Sequence, residues 1–304
     1  MLFKLLEESR NDESDNKPTH FAVIFDSARK NFRNEIYSEY KANRSEAPED
    51  LAPQFDYIRK SVEAFNLPSV ELINYEADDL IATYTQQILE HGAKVTIVSS
   101  DKDLMQLFKK DVRIYDPMKN KFILQEDIIN KFGVDSKKVI DVQSLAGDTS
   151  DNVPGVPGIG IKTAAELINK YKTLENLLDK AKEIKQNKRR ETILKNKEKA
   201  ILSKKLVTLK KDVPVEKQIE EFILKEVDKN KLYDFLREME FNRLLSSAIS
   251  TYGKPNLSDD SVDNKNQRST DNKIIINKKN YLLIKSESDL EKWINEAEEN
   301  GELA

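Results

Sequence analysis

Eight carboxylates recur in four short groups along this chain: Asp26, the cluster Glu76, Asp78 and Asp79, the pair Asp101 and Asp103, and the pair Asp148 and Asp151. Acids gathered on one site repel unless cations lie between them, and Mg²⁺ is held through carboxylate oxygens and retained waters. Two such ions about 4 Å apart can activate a water and stabilise the leaving oxygen of a cleaved phosphodiester. Composition narrows the metal chemistry further. With no cysteine and only two histidines, thiolate sites, disulfides and the usual zinc sites are excluded, so any bound metal must be held by carboxylates.

Each group also has a plainer reading. Acids in the first turn of a helix meet the favourable end of its dipole, which alone would account for Glu76, Asp78 and Asp79, and an Asp cap at a strand-to-helix turn would account for Asp101 and Asp103. What favours chemistry is where the elements place them. Phe21 to Phe25 is an apolar run ending at Asp26, Val95 to Ser99 is another ending at Asp101 and Asp103, and Ala77 to Leu89 between them has helical apolar spacing. Strand, helices, strand and helix in that order predict an α/β fold with a mainly parallel central sheet flanked by helices. Ligands of such sheets sit beyond the carboxyl ends of the strands, the rim where these acids are expected. Val112 to Leu124 reads as a small hairpin, and the chain beyond it as almost wholly helical.

Leu145 to Ala165 carries Gly155, Gly158 and Gly160 ahead of a helix expected to start near Lys162 and Thr163. Glycines there let a ligand approach the backbone, and amides at a helix N-terminus suit a phosphate, so the loop can grip a DNA backbone without reading its sequence; the alternative is a plain turn between helices. Lys180 to Lys211 holds thirteen Lys or Arg against three Glu at helical spacing, which is either a solvated face or an extended track along phosphates. The net charge of −4 conceals such segregation. No apolar stretch approaches the roughly 20 residues that span a bilayer, and the opening residues lack a signal peptide's apolar core. A cytoplasmic protein without membrane association is expected.

Taken together, Phe25-Asp26, Phe32-Arg33, Tyr40-Lys41-Ala42-Asn43-Arg44, Tyr75-Glu76-Ala77-Asp78-Asp79, Ser100-Asp101-Lys102-Asp103-Leu104 and Gly147-Asp148-Thr149-Ser150-Asp151-Asn152-Val153-Pro154-Gly155 resemble, in order and spacing, the 5′-3′ exonuclease domain of bacterial DNA polymerase I, within the flap endonuclease superfamily. The resemblance implies a 5′-nuclease (PIN-like) α/β core followed by a helical, helix-hairpin-helix DNA-binding part. It also implies a two-metal hydrolase that cuts DNA at 5′ flaps, nicks and RNA primer ends during replication and repair, acting as a monomer near the nucleoid. Asp26, Glu76, Asp78 and Asp79 would help form one metal group and Asp101, Asp103, Asp148 and Asp151 a second, with two Mg²⁺, for which Mn²⁺ can substitute. Arg33 to Arg44 would belong to a mobile helical arch, with Arg33, Lys41 and Arg44 meeting phosphates. Tyr37 and Tyr40 would either stack on bases or pack beneath it. Gly155, Gly158, Gly160, Lys162 and Thr163 would form the hairpin element that holds duplex DNA, often with K⁺.

The domains expected are a nuclease core over 1–142, a helical DNA-binding part over 143–252, a disordered linker over 253–279, and a strand-helix fragment of a 3′-5′ exonuclease-like domain over 280–304. The family pattern places a further strand ending in Asp ahead of Phe21. Without it the sheet is expected to lack a central strand and the metal site a carboxylate, which sets up the alternative function of a DNA-binding remnant with weak or no catalysis. A third class, an RNA-cleaving enzyme with a related acidic sheet, does not account for the Gly155 to Ala165 grip.

Overall fold

The computed structural model describes residues 1–11, 17–28, 30–255 and 286–300. They fall into two compact units, Met1–Asn256 and Leu257–Ala304. The linker expected over 253–279 lies mostly outside the described residues, as does the strand expected at its far side.

The first unit opens with helix α1 (Leu2–Asn11) and strand β1 (Val23–Ile24). Helix α2 (Phe32–Ile36) is fixed at its start by reciprocal capping, Asn31 accepting from the Arg33 amide while Asn34 accepts from the Asn31 amide. Then come α3 (Gln54–Ala64), β2 (Ser69–Val70) and α4 (Ala77–Glu90), followed by β3 (Val95–Val98), β4 (Val112–Asp116) and β5 (Lys121–Ile123). Strand β1 runs parallel to β2, β3 parallel to β4, and β5 returns antiparallel to β4 as the expected hairpin.

The sheet is in two pieces. β1 with β2 forms one ladder and β3 with β4 and β5 the other, and among the described residues no strand joins them. Helix α4 packs on both β1 and β3 and so holds the pieces in place. The sheet is thus mainly parallel and flanked by helices, as expected, but in two ladders, and the carboxyl ends of β1 and β3 meet at the N-terminus of α4.

Helices follow: α5 (Gln125–Phe132), closed by Gly133 in the left-handed region, α6 (Val139–Ala146), α7 (Ile161–Tyr171), α8 (Leu174–Asp179), α9 (Asn187–Lys195), α10 (Lys197–Val207), α11 (Lys229–Glu238) and α12 (Asn242–Tyr252). The largest hydrophobic core runs from Ala82 through Ile114, Phe132, Val142, Leu145, Ile168 and Ile193 to Leu209, continuous across residue 143. A second core joins α1, α3, α11 and α12 through Leu6, Val62, Phe65, Tyr233 and Leu236. In the second unit, α13 (Glu287–Asn300) is a helix within the expected strand-helix segment over 280–304. No helix among the described residues is long and apolar enough to cross a membrane.

Candidate active site

The apolar run of β1 releases Asp26, whose Oδ1 accepts from the Ala77 amide at 2.8 Å, so the end of β1 is joined to the start of α4. Glu76 is the N-cap of α4, and Asp79 accepts from the Glu76 amide at 3.3 Å. At the end of β3, Asp101 accepts from the Asp103 amide at 2.8 Å, forming a tight turn that presents both carboxylates. The loop after α6 carries Asp148 and Asp151 and is closed by a backbone bridge between Asp148 and Val153.

These acids divide by their partners. Asp78 makes no ion pair among the described residues: burial, together with the charges of Asp101, Glu76, Asp103 and Asp26, pushes its carboxyl up to about 8. Asp103 is raised by burial, against the lowering influence of Lys102 and Gln143, whose Nε2 donates to Asp103 Oδ1 at 2.6 Å. Glu76, Asp79, Asp148 and Asp151 are matched by internal cations, whereas Asp26 and Asp101 have no ion pair among the described residues. Lys102 donates to Asp148 at 2.5 Å and, against its burial, holds that carboxyl below its usual range. Arg44 donates to Asp151 at 2.5 Å, and Lys41 pairs with both Glu76 and Asp151.

Two assignments from the sequence change here. Arg33 was expected to meet phosphates but is 1% exposed. Its Nη1 and Nη2 embrace both oxygens of Asp79 at 2.6 and 2.7 Å, Nη1 also reaches Glu76 at 3.0 Å, and Nε and Nη2 donate to the Leu206 and Thr208 carbonyls. All five guanidinium N–H donors are thereby engaged, leaving none for DNA. Asp79, expected at a metal, is 0% exposed and spends its oxygens on Arg33 and on the Lys210 amide at 2.8 Å. This pair ties α2, α4 and the end of α10 together.

The segment over 33–44 is also not a helical arch. Helix α2 ends at Ile36, and turns fold residues 38–43 onto the 148–152 loop through Lys41 to Asp151, Asn43 to Thr149 and Asn152 to Glu39. Tyr40 is buried with its hydroxyl on Glu76 at 3.0 Å, and burial and that carboxylate raise its pKa. Tyr37 packs with it against Val153, Leu206 and Val207. Gln143 and Lys102 were not singled out from the sequence. Lys102 lies inside a quoted motif, and Gln143 was detectable only as a polar residue within the apolar run of α6.

The glycine loop meets α7 as expected. Gly158 and Gly160 are exposed, and a Cβ on either would meet nothing within 4 Å, so their backbone is open to an incoming chain. Lys162 is exposed and Thr163 half-buried in the first turn. Gly155 is different: at φ +58, a Cβ would stand 2.4 Å from the Gly147 nitrogen. Gly155→Ala is therefore expected to cost about 2 kcal/mol or more, and Gly158→Ala, strained in φ alone, about 1. Thermal denaturation of the two variants checks this, and equal losses would refute the steric argument.

Among the described residues no three carboxylates converge tightly enough to enclose a cation as they stand. Mg²⁺ does not require that, because it retains several of its waters, and the all-carboxylate donor set around Asp78 fits it.

Comparison with known proteins gives this geometry its relatives. Residues 1–133 match the family model of the 5′-3′ exonuclease N-terminal resolvase-like domain, and residues 134–230 that of the 5′-3′ exonuclease C-terminal SAM fold. DNA polymerase I of Rhizobium leguminosarum is 53% identical over 244 residues, covering 80% of this chain but 24% of that protein, so the chain spans about a quarter of that relative's length. The 5′-3′ exonuclease of Aquifex aeolicus is 38% identical over 248 residues, covering 82% of each chain. Among solved structures, the T5 5′-exonuclease with bound divalent zinc superposes with a TM-score of 0.59 at 20% identity, over 82% of this chain and 89% of that one. The Rad2 catalytic core in complex with DNA substrate reaches 0.53 at 15%, over 82% of each chain. These two share the fold. Matching both family models in sequence and sharing this nuclease fold, the chain belongs to the 5′-3′ exonuclease family.

Proposed function

We propose that this chain hydrolyses DNA phosphodiesters from the 5′ side, at flaps, nicks and primer ends, with Asp26, Asp78, Asp101 and Asp103 as the ligands of magnesium. The observation that carries this reading is the acidic cluster at the start of α4, where half-buried Asp78 stands with Asp26, Asp101 and Asp103 and makes no ion pair among the described residues. Bound there, Mg²⁺ would supply an ionised water and Lewis-acid stabilisation of the phosphate oxygens.

The chain's own residues do the rest. Lys41, Arg44 and Lys102 stand at the rim of the cluster, paired with Glu76, Asp151 and Asp148. They are available to a phosphate entering the site. Glu76, Asp148 and Asp151 hold them in place and border the metal group. Arg33 with Asp79 fixes the floor beneath them. Along the duplex, the open backbone of Gly158 and Gly160 ahead of α7, with Lys162 and Thr163, suits the phosphate backbone without base readout.

The test is cleavage of a labelled 5′-flap DNA with and without Mg²⁺, beside a binding assay on the same DNA. Metal-dependent cutting is expected, lost in Asp101→Asn while binding persists. Binding with no cutting by the unaltered chain would return it to a DNA-gripping role without catalysis.

A further inference from the structure

We infer that Gln143, on α6, is a positioning residue for the metal-dependent reaction: its side-chain amide fixes the Asp103 carboxylate in the orientation that meets the cation. The inference rests on the reading of Asp103 as a metal ligand.

Gln143 is 3% exposed, and the two ends of its amide are unequally served. Nε2 donates to Asp103 Oδ1 at 2.6 Å, while Oε1 is buried with no hydrogen-bond partner. A buried acceptor left in that state has lost its hydrogen bonds to water and gained none in return. Turning the amide over would not relieve it, because Oε1 would then face a carboxylate oxygen and the two acceptors would repel. The neighbouring positions on the helix, Val139, Val142 and Leu145, lie in the apolar core and ask for nothing polar at position 143. Asp103 is the group that makes an amide useful there.

The cation ion-paired with Asp103 is committed elsewhere. Lys102 lies 3.6 Å from the same oxygen, Oδ1, but donates to Asp148 at 2.5 Å. Gln143 is therefore the short, directional contact that sets the carboxylate's rotation. With Oδ1 held, Oδ2 is the oxygen left for a cation, carrying no hydrogen bond among the described residues. The Gln143 carbonyl also accepts from the Gly147 amide at 2.8 Å, where α6 gives way to the Asp148 loop. One residue thus relates the acids after β3 to the acids after α6.

Gln143→Met keeps the length and bulk of the side chain while deleting both the donor and the orphaned acceptor. Mn²⁺ is the probe, its affinity measured directly from the free-ion signal in electron paramagnetic resonance without DNA. The expected result is Mn²⁺ binding weaker by about tenfold. The melting temperature should be unchanged or higher, and KM for flap DNA unchanged. Unaltered Mn²⁺ affinity, above all with a lowered melting temperature, would overturn the inference and leave the amide a packing role. In an Asp103→Asn background, Gln143→Met should weaken Mn²⁺ binding no further. A full tenfold additional loss there would show that Gln143 acts elsewhere. If Asp103→Asn alone leaves Mn²⁺ binding intact, it is the ligand reading of Asp103 that fails.

Discussion

Arg33→Ala is expected to destabilise the protein by about 3–5 kcal/mol, the loss typical of removing one partner from a buried ion pair. The substitution leaves Asp79 fully enclosed with a charge and no counterion, deprives Glu76 of one of its partners, and abandons the Leu206 and Thr208 carbonyls. Burial by itself would lower the guanidinium's pKa, yet the Asp79 hydrogen bonds and charge, joined by Glu76, raise it, so Arg33 stays charged at any ordinary pH. For a domain of this size, the loss corresponds to a fall in Tm of about 2–4 °C per kcal/mol. Calorimetry or denaturant unfolding reads it directly. The companion variant separates structure from substrate binding. Arg33→Met with Asp79→Leu removes both charges and should recover much of the stability, because an apolar pair of similar volume is often no worse than the ion pair it replaces. Were Arg33 a phosphate contact, Arg33→Ala would leave unfolding unmoved and weaken DNA binding with a shallower salt dependence.

Arg33 also shows which features were legible from the sequence and which were not. Elements whose signal is local were read closely. The apolar runs ending at Asp26 and Asp101, the helix from Ala77 and the hairpin after Val112 all stand where periodicity placed them, because each depends on residues a few positions apart. What local pattern cannot carry is pairing across the chain. Arg33 meets Asp79 forty-six positions away, Lys41 meets Glu76 and Asp151, and Lys102 meets Asp148. A family pattern of acids and bases specifies that both are needed, but not which base neutralises which acid. Asp79 and Asp78 are adjacent in sequence, yet a helix turns their side chains about 100° apart. One enters the core against Arg33, and the other faces the remaining acids. Tyr40 and Gln143 are illegible for the same reason, since their partners Glu76 and Asp103 lie thirty-six and forty positions on or back.

Asp78→Asn is the change expected to affect stability and activity in opposite directions. In metal-free protein the Asp78 carboxyl titrates near 8, raised first by burial and then by Asp101, Glu76, Asp103 and Asp26. An unfolded aspartate titrates near 3.9. The folded state therefore binds this proton more tightly than the unfolded state does. The associated stability is complete below about pH 4 and is lost progressively as pH rises to about 8. Removing the charge should stabilise the metal-free protein by an amount on the order of a few kcal/mol at pH 8 and by little at pH 4. Its melting temperature in a chelator should accordingly depend less on pH than that of the unaltered chain. Magnesium reverses the comparison. A cation that binds the folded state alone stabilises it by about 2.7 kcal/mol at a hundred times its Kd. The unaltered protein should gain in Tm on adding Mg²⁺ at pH 8, and Asp78→Asn should gain far less while losing metal-dependent flap cleavage. A variant that is no more stable than its parent in chelator at pH 8 would mean that Asp78 does not carry the uncompensated charge of the cluster. One that gains stability yet responds fully to Mg²⁺ would place the cation on Asp26, Asp101 and Asp103 without it.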